Sequence, residues 1–237
     1  MNTQETMDSL KRTARIAGIL TLLMAVVAPF GMMYVPSTLV VPGDATATAN
    51  NIVASEGLLR LGIADNAVVF LIEIVLVVML YVLLKPVSKT WSLVAAFARL
   101  GMTTIQGINL FNQFMALQLL GGAAYLNSFE PGQLHALALA FMNAFESVAL
   151  IWGLFFALHL FVLGALVYKS GYIPRVIGIL LLVASLCYLV QSFGTILLPG
   201  YDELWSAVGL VSMVELAFPL WLVIKGVRGQ GTRSQTV

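Results

Sequence analysis

The sequence predicts an all-α, polytopic transmembrane helix bundle of six helices with both termini in the cytoplasm, and three observations carry that expectation. The chain of 237 residues is 60% apolar and only 10% charged, whereas a soluble domain carries about 25% charged residues. Its charges leave apolar gaps long enough to cross a bilayer, and its lysines and arginines fall on alternate sides of those gaps. This composition also lacks the basic excess of nucleic-acid binders and the charge or glycine period of disordered, collagenous or coiled-coil chains. Membrane lipids are the expected surroundings, and no nucleic-acid partner is expected.

Taken in order, residues 1–15 form a cytoplasmic N-terminal segment containing Lys11, Arg12 and Arg15. The apolar run Ile16–Val35 follows. It is about twice the 7–15 residues of a signal h-region and has no A-x-A site after it, so it reads as a retained first span. A span needs roughly 20 apolar residues. Helix two takes about Leu59–Leu84, helix three the charge gap from Arg99 to Glu130, helix four that from Glu146 to Lys169, and helix five that from Arg175 to Asp202. Helix six covers about Glu203–Ile224. Residues 16–227 thus make one six-helix domain, followed by a flexible basic tail, 228–237.

Turn chemistry agrees with these boundaries. Lys85-Pro86 ends helix two, and Gly171-Tyr172-Ile173-Pro174 separates helices four and five. Outer-face helical segments are expected near 44–58 and 131–143. The first has Asp44 as N-cap of a short helix through Ala45–Glu56, and the second opens at Glu130-Pro131-Gly132-Gln133. Pro131 to Tyr168 would extend roughly 57 Å as one helix, more than a bilayer needs, so part of it should project outward or bend.

Orientation follows from the excess of Lys and Arg in cytoplasmic loops. With the N-terminus inside, the inner segments hold ten of the twelve basic residues, all but Arg60 and Arg99. Tyr and Trp give an independent check, since they favour the membrane boundary. Tyr34, Tyr125, Tyr201 and Trp205 fall at outer ends, and Tyr81, Trp91, Tyr168, Tyr172 and Trp221 at inner ends.

The stretches NNIVASEGLLRLGIADN, YVLLKPVSKTWSLVAAFARL and YKSGYIPRVIGILLLVASLCYLV resemble a family of bacterial integral membrane proteins catalogued as a domain of unknown function. The resemblance runs from about Arg15 to Val227. It implies a bacterial source and an inner-membrane location, and it brings no activity with it.

Ionisable groups at bilayer depth are expensive and therefore mark candidate sites. Glu73, His159 and Glu215 lie 10–12 residues before the lysines that end their helices, roughly 15–18 Å from the inner boundary. Arg99 reaches the same depth from helix three. This charge layer reads first as a pairing that holds helices together and second as a proton or ion pathway. Arginine effectively keeps its proton whereas a glutamic acid can neutralise, so Arg99 is the group that demands a partner. Glu73, across a short loop, is favoured.

Helix three adds a polar stripe, Gln106, Asn109 and Gln113, at helical spacing. With Asp65, Asn66, Asn143, Glu146 and Gln191 at comparable heights, it would line a cavity open to the outside; the alternative is interhelical hydrogen bonding. Pro219 removes the hydrogen bond to the Glu215 carbonyl and should kink helix six.

His135 and His159 lie too far apart on one helix to hold a haem between them. The single Cys187 builds no cluster, and no hydrolase, P-loop or dinucleotide motif occurs, so no catalytic residue, metal or cofactor is assigned. The first functional expectation is an integral membrane protein that binds or transports a small solute or ion through a polar interior. Alternatives are a membrane enzyme acting on a lipid or quinone, with Glu73, His159 and Glu215 as acid–base groups, and a structural or sensory subunit.

Overall fold

The computed structural model describes residues 3–198 and 214–227, and every regular element among them is helical. Helix α1, Thr3–Pro29, passes into a π-helical turn, Phe30–Tyr34, and then into α2, Val35–Leu39. After α3, Ala45–Ala54, come the long helices α4, Glu56–Leu84, α5, Lys89–Leu120, and α6, Pro131–Ser170. Helix α7 covers Arg175–Leu197 and α8 covers Ala217–Ile224.

Local chemistry accounts for the boundaries. The Asp44 carboxylate accepts from the Ala47 amide at 2.8 Å, the N-cap expected for α3. At the start of α6 the Gln133 side chain accepts from the Glu130 amide at 3.1 Å, satisfying a donor that the helix leaves over. Gly171 has φ +73°, a conformation that costs an L side chain about 1–2 kcal/mol, and it turns the chain between α6 and α7. Helix α6 is a single helix of 40 residues.

Among the described residues four helical stretches are long and apolar enough to cross a membrane: Asp8–Leu39, Glu56–Leu84, Pro131–Ser170 and Arg175–Leu197. Helix α5 is long enough at 32 residues, but its glutamines and asparagines place it outside that apolar set. Most of the expected sixth span, from Glu203, lies outside the described residues. Its final part is α8, preceded by a turn at Leu216 whose backbone angles stay in the right-handed helical region, next to the Glu215 carbonyl that Pro219 cannot bond.

The chain divides into two compact units. The first comprises Met1–Leu23, Glu73–Met102 and Gly153–Val237. Within it, α6 and α7 approach at Gly164 and Gly178, where a Cβ on either glycine would come within 2.7–2.8 Å of the other's carbonyl oxygen. This is small-residue packing of the kind that lets membrane helices touch through their backbones. Gly18 meets Pro219 and Val223 in the same way. The Tyr172 hydroxyl donates to the Leu83 carbonyl at 2.8 Å, and burial pushes that phenol up to about 12.

The second unit comprises Met24–Ile72 and Thr103–Trp152. Pro29 has no N–H to give the preceding turn, and the helix widens into its π-turn immediately after it. Helix α3 is tied down by Asn51, whose side chain donates to the Leu39 carbonyl at 3.2 Å, and by Thr48, whose hydroxyl accepts from the Val41 amide at 2.9 Å.

Candidate functional site

The first unit holds the ionisable cluster. Arg99 on α5 forms a two-point ion pair with Glu73 on α4: Nε donates to Oε2 at 2.5 Å and Nη2 to Oε1 at 2.9 Å. Fork-to-fork geometry is the strongest form of this contact, and both side chains are buried. Glu73, the carboxylate across the short loop, is thus the partner of Arg99.

His159 on α6 completes the arrangement. Its Nδ1 lies 2.8 Å from the Ala95 carbonyl and its Nε2 lies 3.1 Å from Arg99 Nη1. A carbonyl only accepts and a guanidinium only donates, so the ring is assigned as the neutral Nδ1–H tautomer. Both nitrogens are then occupied. Phe156 stacks beside the ring, with centroids 6.3 Å apart. Glu215 faces the same group: its carboxyl hydrogen-bonds Tyr188 and lies within electrostatic reach of Arg99, while its Oε2 has no hydrogen-bond partner among the described residues. All four members of the expected charge layer therefore meet in one unit.

Beside Arg99 and His159 is a small cavity of about 10 Å³ lined also by Ser92, Tyr81 and Leu163. That is roughly the room of one water. The Ser92 hydroxyl, 1% exposed, has no hydrogen-bond partner among the described residues. Sequence reasoning missed Ser92, since a serine in a helix ordinarily bonds the preceding turn and gives no signal.

The second unit holds the amides. Asn109 donates to the Gln106 side chain and to the Phe145 carbonyl, each at 2.8 Å. Asn112, which lies off the stripe by helical angle, donates to Asn109 Oδ1 at 2.8 Å and so extends the network. The opposite side of α5 bears Ile108, Phe111 and Phe114, all exposed. Polar groups inward and aromatics outward invert the pattern of a soluble helix.

Asn66 on α4 and Gln113 on α5 differ from their neighbours. Both are fully buried, at 0% exposure, and neither the nitrogen nor the oxygen of either amide has a partner among the described residues. Asp65 is half-buried and accepts from the Gly31 amide, in the π-turn, at 3.1 Å. A Cβ on Gly31 would lie 2.7 Å from that carboxylate and from the Gly62 carbonyl, and 3.0 Å from the Asn66 amide carbon. Only a glycine fits there. Pro29 followed by Gly31 in a first span was the signal available for this contact.

The remaining expected residues differ in exposure. Asn143 and Glu146 are exposed on α6, and Gln191 is buried on α7 in the first unit. Among the described residues no three His, Cys, Asp or Glu side chains converge as metal ligands would.

Residues 16–226 match the family described as Domain of unknown function (DUF4386), and the chain belongs to it. An uncharacterized protein of the archaeon Archaeoglobus fulgidus is 31% identical over 159 residues, covering 67% of this chain and 79% of its own length. No solved structure matches the chain.

Proposed function

We propose that this member of a family without an assigned activity is an inner-membrane protein that binds or passes a small polar solute, with six spans and both termini cytoplasmic. The observation that carries the proposal is that two fully buried amides, Asn66 and Gln113, have no hydrogen-bond partner among the described residues. Each unsatisfied buried polar group costs ~1–3 kcal/mol, a cost that a bound solute removes. An amide offers donors and an acceptor without charge. The matching ligand is a small neutral molecule with a donor and an acceptor of its own, such as a urea, an amide or a polyol.

Support for six spans comes from α5, whose exposed aromatic side is suited to acyl chains although its polar side lowers its overall hydropathy. Support for the orientation is the concentration of lysine and arginine in the inner segments. The enzyme alternative draws less support, because Glu73 and His159 are occupied by Arg99 and Ala95.

Two measurements test the proposal. With Cys187 replaced by serine, cysteine at Asn50 or Asn127 should label from outside the cell and cysteine at Ser88 or Gly171 should not; the reverse would overturn the orientation. In detergent, urea, acetamide and glycerol are screened by thermal unfolding. At least one should stabilise the wild type and leave Gln113→Leu unshifted, and the same compound should enter proteoliposomes faster through the wild type. Equal shifts for both proteins would remove the amides from the site.

A further inference from the structure

We infer that the first unit carries a binding site for one anionic phospholipid, in a groove where α6 ends and α4 turns into α5. This site is separate from the buried amides and from the charge cluster. The groove has a volume of about 560 Å³, within the ~300–1,000 Å³ range of small-molecule pockets. Its wall is graded. On α6, Phe161, Ala165 and Lys169 follow one another at intervals of four and all line it, so one stripe of the helix runs from an exposed aromatic, through a small residue, to an ammonium.

The polar end is completed by Ser88, Ser170, Tyr172 and Trp91. Trp91 is 56% exposed, and tryptophan prefers the headgroup level of a bilayer. Charge identifies the occupant. Lys169 has no carboxylate partner among the described residues, and no residue lining the groove is acidic. Lys85 and Lys89, both exposed, flank the lining segment Pro86–Ser88 in the chain. A cationic rim above an apolar trough matches a phosphate headgroup with an acyl chain beneath it. A free phosphate would use the rim and leave the trough empty.

Native mass spectrometry of the full chain in detergent, titrated with dioleoylphosphatidylglycerol or dioleoylphosphatidylcholine, tests the site. One phosphatidylglycerol should bind about fivefold more tightly than phosphatidylcholine, since a lysine near anionic lipid is worth ~1 kcal/mol. Lys169→Gln should abolish that preference, and Ala165→Trp, which fills the trough, should weaken both lipids. Lys225→Gln, which does not line the groove, should change neither. Equal binding of the two lipids by the wild type, or a preference that survives Lys169→Gln, overturns the assignment. So does displacement of phosphatidylglycerol by inorganic phosphate in excess. Should Lys169→Gln fail to fold, unaltered lipid binding by Ala165→Trp overturns it independently.

Discussion

Two buried polar groups, one in each unit, are treated in opposite ways. Around Arg99 both oxygens of Glu73 and both nitrogens of His159 have partners, whereas at Asn66 and Gln113 neither amide atom has one among the described residues. The physical difference lies in what burial costs. An uncompensated ion away from water costs several kcal/mol, and arginine cannot escape by losing its proton. A neutral amide costs less, so a fold can leave it unpaired where a ligand will complete it. Among the described residues Arg99 and Glu73 compensate each other, while the two amides are the groups that the proposed solute would complete.

The largest expected effect breaks the ionic side. Glu73→Ala strands the Arg99 charge and should destabilise the protein by ~3–5 kcal/mol, read as a lowered melting temperature in detergent. A change below about 1 kcal/mol would mean that the pair behaves like an exposed one. Next comes Gly31→Ala on the amide side, where a Cβ would have to displace Asp65 and the Gly62 carbonyl. Overpacking of this kind costs ~1–3 kcal/mol, and an unchanged melting temperature would show that the π-turn adapts freely.

A neutral yardstick within the ionic unit is Tyr172. Loss of its bond to the Leu83 carbonyl in Tyr172→Phe should cost ~1 kcal/mol. Its folded-state pKa is raised from 10.0 to about 12, so its stabilisation is complete below pH 10 and is lost as pH rises from 10 through 12. Tyr172→Phe should lack that alkaline component, and parallel pH profiles for the two proteins would exclude it. Smallest of all, Asn66→Leu and Gln113→Leu should leave stability unchanged or slightly raised, because replacing an unsatisfied group by an apolar one of similar shape removes a penalty. A fall comparable to that of Glu73→Ala would put the amides in the same class as the charges.

Much of this was legible in the sequence because it depends on local chemistry. The Asp44 cap, the Gly171 turn and the unbroken course of α6 follow from residue type and spacing. Asking which charge cannot be neutralised singles out Arg99, and the short loop between their helices points to Glu73 as its partner. Height in the membrane does not fix burial, however. Asn143 and Glu146 share the height of the stripe and are exposed, on a helix longer than a bilayer requires, whereas Gln106, Asn109 and Gln113 are buried. Nor does a sequence distinguish Asn109, which reaches the Phe145 carbonyl, from Gln113, which reaches no partner among the described residues. Both are amides on the inward side of α5, and the neighbour that separates them comes from another helix.

The central claim, that the amide interior receives a polar solute, is tested most directly by reactivity in the folded protein. Cysteine is introduced at Gln113, with Cys187 replaced by serine, and the protein in proteoliposomes is exposed to a small polar methanethiosulfonate. Leu110→Cys, at a buried apolar position on the same helix, serves as the packing control. The account predicts that Gln113→Cys reacts while Leu110→Cys does not, and that the solute which raises the wild-type melting temperature slows labelling of a neighbouring Gln106→Cys. Reaction at Gln113→Cys only after unfolding would contradict it, leaving the amides sealed inside a structural core.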